Sequence, residues 1–195
     1  MKDKVKVNQI LICDNIAGCG KTTAAQYLSE KYGFAEFFFA QPIYDIARSL
    51  FGMKGKDRRL LIEIGQKMRE IDPEVWIRKT YNNAGFEHHL HNTNVCISDC
   101  RQENEYIEGV RRGYLPIRIN CDRDEAINRI ILRDGHCDTS LLDTEGEIGT
   151  RHIPMINIDN NGSIEHLQRQ LDDIVTKDLG DYINHLQTAE KYLRV

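Results

Sequence analysis

The chain has 195 residues, of which 41% are hydrophobic and 29% charged, and its formal net charge is -4. This length suits one domain with its own core, and the composition is that of an ordinary globular protein. The acidic balance excludes general affinity for nucleic acid, so any anion site has to be local. No apolar run approaches membrane-spanning length, and Lys2 and Lys4 lead into a strand rather than a leader, so no membrane partner is expected and the expected location is cytoplasmic.

Val5, Val7 and Ile10 to Ile12 form a β-branched run of strand length, and from Thr22 the segment TAAQYLSEKY reads as a helix with Ala24, Ala25 and Leu28 inward. Between them, residues 15 to 22 fit Gly-x-x-x-x-Gly-Lys-Thr except that Asn15 replaces the first glycine. Asparagine follows glycine in tolerance of positive φ, and Gly18 and Gly20 leave the backbone open to close approach. A strand, glycine-rich turn and helix in this order aim backbone N–H groups and a positive helix end at one small space that suits phosphate oxygens. Lys21 can reach β- and γ-phosphates, and the Thr22 hydroxyl can coordinate Mg²⁺. The expected nucleotide-binding residues are Asn15, Ala17, Gly18, Cys19, Gly20, Lys21, Thr22 and Thr23, with ATP and Mg²⁺ as cofactors. The competing reading is a tight βα turn with a solvated lysine.

Gly33 ends the first helix, and Phe34 to Ala40 reads as a strand buried on both faces through Phe37, Phe38 and Phe39. Pro42 opens a helix with Ile43, Ile46, Ala47 and Leu50 on its core side and Asp45 and Arg48 opposite, and Gly52 ends it. The stretch from Lys54 to Arg69 carries six basic residues. Within it Leu60, Ile64, Met68 and Ile71 form one helical stripe, and Arg58, Ile62, Gly65 and Arg69 another. Gly65 removes bulk between the two arginines, where a ligand can approach; the competing reading is a solvated basic face. Asp72 and Pro73 cap and begin a helix through Trp76 and Ile77, followed by a loop holding His88, His89 and His91.

Asn94 to Asp99 is a buried strand ending in a carboxylate that resembles a Walker B acid able to hold metal-bound water, the competing role being a helix N-cap. Arg101 follows on the same rim. A helix from Glu103 to Arg112, a strand from Leu115 to Cys121 and a helix from Asp124 to Asp134 complete a βαβ unit, with Arg129 and Arg133 one turn apart. Residues 135 to 151 are hydrophilic and long for a loop in a compact domain, which favours a lid. His152 to Ile158 is the fifth strand, Ser163 caps a helix with Ile164, Leu167, Leu171 and Ile174 inward, and residues 178 to 195 read as a helical tail. The six cysteines lack CxxC pairs and read as reduced thiols, Cys19 being the chemically sensitive one. Cys137, His136 and His152 do not have the spacing of a closed zinc site.

The segments AGCGKTT (17 to 23), FAQPIYDIARSLFG (39 to 52), RRLLIEIG with MREIDPEVW (58 to 76), ISDCRQENE (97 to 105) and IDNNGSIEHL (158 to 167) resemble those of P-loop nucleoside monophosphate kinases, most closely the phage-type deoxynucleoside monophosphate kinases. The chain departs from that pattern at Asn15, at Thr22, where many of these kinases carry aspartate, and at Ile62, where glutamine is usual. The alternating β and α pattern gives an α/β fold with ligands at the strand C-termini. The resemblance implies a three-layer P-loop kinase fold with a five-stranded parallel sheet in the order 2-3-1-4-5, helices on both faces and a mobile lid. It divides the chain 1–195 into a core (1–40 and 92–178), an acceptor-binding helical region (about 41–91) and a lid (about 134–151).

The implied activity is ATP- and Mg²⁺-dependent phosphoryl transfer to a nucleoside or deoxynucleoside monophosphate, with room for a homodimer. Lys21, Arg129, Arg133 and Asp99 would be catalytic, Asp45, Arg58, Arg69, Trp76 and Arg101 would bind the acceptor, and Thr22 and Asp99 would serve the metal. Phosphoryl transfer needs mainly positioning and charge neutralisation, which matches an inventory of cations without a nucleophile–base pair. The alternatives are dephospho-coenzyme A kinase or another small-molecule P-loop kinase, for which Asp14 or Asp99 would be the base, and a nucleotide-binding regulatory module without catalysis.

Overall fold

The computed structural model describes residues 7–13, 16–137, 139, 153–176, 184, 187–189 and 191. Asp14, Asn15, His152, most of the expected lid and most of the expected tail helix lie outside them. Five strands, β1 (Gln9–Cys13), β2 (Phe34–Phe37), β3 (Asn94–Cys100), β4 (Leu115–Asn120) and β5 (Ile156–Asp159), form one sheet in the order β2-β3-β1-β4-β5. Every pairing is parallel. The helices with bounds among the described residues are α1 (Lys21–Tyr32), α2 (Gln41–Phe51), α3 (Arg58–Ile71), α4 (Val75–His91), α5 (Glu103–Arg111), α6 (Arg123–Asp134) and α7 (Ile164–Val175).

Alternation along the central strands sorts the core into two layers, because successive strand side chains point to opposite faces. Ile10, Ile12, Ile117 and Ile119 face Ala24, Ala25 and Leu28 of α1, Ala126 of α6 and Leu167, Leu171 and Ile174 of α7. Leu11, Cys13, Val95 and Ile97 face Ile77, Tyr81 and Ala84 of α4 and Tyr106 and Val110 of α5. A third, smaller cluster joins Ile43 and Ala47 of α2, Ile64 of α3 and Trp76 of α4, the Trp76 Nε1–H donating to the Gly65 carbonyl at 3.2 Å. This cluster builds a helical arm on the β2 side of the sheet. Among the described residues no helix is long and apolar enough to cross a membrane.

Several expectations are corrected. Strand β2 stops at Phe37 instead of Ala40, because it is an edge strand paired only with β3 and the Phe39 and Ala40 N–H groups go to the Asp99 carboxylate. Leu50 is 75% exposed, since the Met53 N–H bonds the Ala47 carbonyl and folds Met53 back onto the α2 and α3 cluster in its place. Ile71 is 81% exposed at the end of α3, where Asp72 caps the helix and Val75 packs instead. Ile164, the first residue of α7, is exposed at its N-terminus. His88, His89 and His91 form the last turn of α4 rather than a loop. Pro73 lies in the turn before α4, which starts at Val75, and β5 starts at Ile156.

Helix α5 lies directly against the sheet at Gly109, where an added Cβ would meet the Tyr81 hydroxyl and, at 2.7 Å, Leu11 Cδ2. Gly109→Ala should therefore lower the unfolding free energy by about 1–3 kcal/mol despite alanine's better helix propensity. Urea unfolding measures this, and an unchanged midpoint would mean that α5 stands off the sheet.

Candidate active site

The loop between β1 and α1 is held from two sides. Gly18 (φ 84°) abuts α6, where a Cβ would come within 2.6 Å of the Ala126 carbonyl, and Gly20 (φ 101°) abuts the Asn160 amide. Both positions need glycine for conformation and for space. Asn160 follows β5, is 5% exposed and donates through Nδ2 to the Cys19 carbonyl at 2.7 Å. The N-cap of α1 is Gly20, with no side-chain cap and no acidic residue in the first turn. The helix therefore directs its unsatisfied amides and positive end outward, towards an anion.

In front of this loop is a cavity of about 690 Å³ lined by Ala17, Gly18, Gly20, Lys21, Thr22 and Thr23, by Arg129 and Arg133 of α6, and by Ile164 and Leu167 of α7. Cys19 does not line it. Its side chain is fully buried in the first core layer, which corrects the expectation of a sensitive thiol; only its backbone belongs to the loop. Among the described cysteines Cys137 alone is partly exposed. Asn15 lies outside the described residues. Arg129 lines the cavity, donating to Glu125 Oε1 (2.9 Å), Cys121 Sγ (3.5 Å) and the Asn160 carbonyl (2.8 Å). Arg133 is exposed and held by both Asp134 oxygens at 2.7 Å.

A second cavity, about 390 Å³, opens between the C-terminal end of β3 and helices α2 and α3. Arg58, Ile62, Gly65 and Arg69 all line it, as their shared helical stripe predicts, together with Phe39, Ile43, Tyr44 and Leu61. Asp99, Arg101, Gln102 and Glu105 close it from the sheet. Two expected acceptor residues lie elsewhere: Asp45 is exposed and bonded by Gln41 Nε2, and Trp76 is buried beneath α3. Lys56, Arg58 and Arg101 line both cavities, which therefore meet at these cations.

Asp99 owes its position to an irregularity in β3. Leu11 pairs with Ile97, but Cys13 pairs with Cys100, so one extra residue enters β3 and takes Asp99 out of the ladder. Its Oδ1 accepts the Phe39 N–H at 2.7 Å and its Oδ2 the Ala40 N–H at 3.0 Å. Burial raises its carboxyl above the usual range, opposed by those bonds and by Arg101 and Lys21. Asp99 thus caps the entry to α2 and lies within electrostatic reach of the phosphate-loop lysine.

An Mg²⁺ ion prefers oxygen donors, often one or two carboxylates with substrate phosphates and water completing its shell. The residues fit this need: the Thr22 hydroxyl lines the phosphate cavity, and Asp99 has used two of about four acceptor positions on its oxygens, leaving others for metal-bound water. No group of three or more His, Cys, Asp or Glu gathers for a metal among the described residues.

The family model for the AAA domain matches residues 15–149. The chain belongs to the AAA domain family. Among curated proteins no sequence relative of this AAA domain was found. Its fold is shared with a gluconokinase from Sinorhizobium meliloti 1021 (TM-score 0.52, 14% identity, 88% of this chain and 95% of that one). A sugar kinase from Janibacter sp. HTCC2649 is similar (TM-score 0.55, 14% identity, 90% and 98%). So is a shikimate kinase from Acinetobacter baumannii in complex with shikimate (TM-score 0.53, 13% identity, 87% and 94%). At such identities the likeness is one of fold, a five-stranded parallel sheet in the order β2-β3-β1-β4-β5 with helices around it.

Four residues of the site are not among the expected site residues. Asn160 and Lys56 reach it only through space. Gln66 lies on the arginine-rich helix beside Gly65 without a motif of its own. Glu105 had a signal, because Gln102-x-x-Glu105 has the spacing of a capping box, which the structure forms at the start of α5.

Glu105 is 3% exposed, and its Oε2 accepts the N–H groups of Arg101 (2.8 Å) and Gln102 (3.0 Å). Burial raises its carboxyl to about 7 from the ordinary 4.5, and Asp99 adds to the rise while the two N–H bonds and Arg69 oppose it. The folded state then binds more protons than the unfolded one between pH 4.5 and 7, so stability falls as the pH rises through that window, by up to about 3 kcal/mol. Glu105→Gln keeps an acceptor oxygen and cannot ionise. Urea unfolding from pH 5 to 8 should show the wild type losing stability relative to this variant; parallel curves would mean that Glu105 titrates at an ordinary value.

Proposed function

We propose that this protein transfers the γ-phosphoryl group of ATP to a nucleoside or deoxynucleoside monophosphate, with Mg²⁺ as cofactor. The observation that carries the reading is the pair of cavities meeting at Lys56, Arg58 and Arg101. Seven cationic side chains line them (Lys21, Lys56, Arg58, Arg69, Arg101, Arg129 and Arg133) against two acidic ones, Asp99 and Glu105, in a chain whose net charge is -4. Such a concentration of positive charge suits two phosphorylated ligands facing each other rather than one nucleotide and a neutral polyol.

In this reading the phosphate-loop amides and Lys21 hold the donor phosphates, and Arg129 and Arg133 cover the transferred group. Thr22 and, through water, Asp99 would hold Mg²⁺, which neutralises charge on the donor phosphates. The helical arm within about 41–91 receives the acceptor: Arg58, Arg69 and Arg101 hold its phosphate, and Phe39, Ile43, Tyr44 and Ile62 offer an apolar wall for the base. A monophosphate dianion needs no general base to attack phosphorus. The matching segments described above favour the phage-type deoxynucleoside monophosphate kinases as the nearest functional analogue.

Incubation with Mg-ATP and each common NMP and dNMP, following ADP release, tests the reaction and the acceptor class together. Stimulation by one or a few monophosphates is expected, and Lys21→Ala should reduce it by about three orders of magnitude or more without unfolding the protein. Stimulation only by a sugar, shikimate-like acid or dephospho-coenzyme A would contradict the proposed acceptor, and normal turnover by the Lys21 variant would contradict a role in transfer.

A further inference from the structure

Of the cations shared by the two cavities, Lys56 differs in its setting. It stands in the connection 52–57 between α2 and α3, beside Gly55, around which there is open space. Arg129 is tied down by three hydrogen bonds and Arg133 by a carboxylate, and Arg58 and Arg101 have further partners. Lys56 is exposed, and among the described residues no hydrogen bond or ion pair engages its ammonium group.

A second observation locates it across the cleft. The carboxyl of Asp134, at the end of α6, is held below its usual range mainly by Arg133, with His136 and Lys56 contributing. Lys56 therefore comes from the acceptor arm and reaches the electrostatic neighbourhood of the helix that bounds the phosphate cavity. Its residue type suits the junction. An ammonium group is a compact charge with three donors on a flexible stem, able to address oxygens from two directions, whereas a guanidinium presents a planar fork to one.

We propose that Lys56 is a catalytic residue that bridges the terminal donor phosphate and the acceptor phosphate. This rests on the reading of the two cavities given above. In the transfer, an acceptor phosphate oxygen forms a bond to the γ-phosphorus. The bond from that phosphorus to the β–γ bridging oxygen breaks, and its electron pair stays on the β-phosphate of the departing ADP. No proton has to leave a dianionic acceptor. Bringing two phosphates into contact is opposed by their repulsion, and a cation between them offsets that repulsion only when both are present.

Ligands that occupy one cavity or both separate this role from a general electrostatic one. The probes are ADP, AMP and dTMP singly, and diadenosine pentaphosphate and its adenosine–thymidine counterpart as joined ligands. With Lys56→Ala, an exposed loop change whose fold is checked by circular dichroism, affinity for the tighter joined ligand should fall about 10- to 100-fold while single ligands change less than about threefold. In steady state, kcat should fall with both KM values nearly constant. Unchanged affinity for the joined ligand, or an equal loss for single and joined ligands, would overturn the bridging role. A wild-type protein that binds the joined ligands no more tightly than ADP would overturn the reading of the cavities, and the proposal with it.

Discussion

The contact on which the site depends is the one between the Asp99 carboxylate and the N–H groups of Phe39 and Ala40. An irregularity at the end of β3 moves Asp99 out of the ladder, and the displaced side chain then binds the point where the chain leaves β2 for α2. One carboxylate thereby fixes the end of the edge strand, the start of the helical arm and a negative charge facing Lys21 and Arg101. Its burial is costly in itself, and the two N–H bonds with the neighbouring cations offset much of that cost. Asp99 works together with Trp76 of α4, which packs on α2 and α3 and bonds the Gly65 carbonyl, in placing the arm that carries Arg58 and Arg69.

The same economy recurs on the other side of the loop. Asn160 donates to the Cys19 carbonyl through its side chain and accepts from Arg129 through its backbone carbonyl, so the end of β5 links the phosphate loop to α6. Gly18 and Gly20 allow this close approach, and the amides at the start of α1 are left for a ligand. A parallel sheet gathers the C-terminal ends of its strands at one edge, where such linked loops converge and where ligands bind in open α/β sheets. The acidic balance of the whole chain makes the local positive charge informative, because cations outnumber acids along the two cavities in a chain whose net charge is -4.

What the sequence made legible were features set by local periodicity and local turn chemistry. The helix α1 with its inward Ala24, Ala25 and Leu28, the stops at Gly33 and Gly52, the Ser163 cap and the shared face of Arg58, Ile62, Gly65 and Arg69 all follow from spacing along a few residues, whereas the strand order comes from the family resemblance. Features set by distant partners were not legible. Strand β2 is shortened by a carboxylate 60 positions away, Met53 replaces Leu50 by folding back, and Ile164 lines the phosphate cavity instead of entering the core. Cys19 belongs to a loop where strand alternation no longer indicates direction, so its burial could not be read from its neighbours. Trp76 looked like an acceptor contact because it sits in a motif, yet its indole holds α3 against α4.

The central claim is that two separate ligands occupy two cavities at once and meet over shared cations. Titration calorimetry with a non-hydrolysable ATP analogue, in the absence and then in the presence of a saturating concentration of the monophosphate that best stimulates ADP release, tests this directly. The account predicts one analogue bound per chain in both titrations, with the analogue's affinity maintained or increased when the monophosphate is present. Loss of analogue binding as the monophosphate is added would mean that the two compete for a single cavity, and would contradict the account.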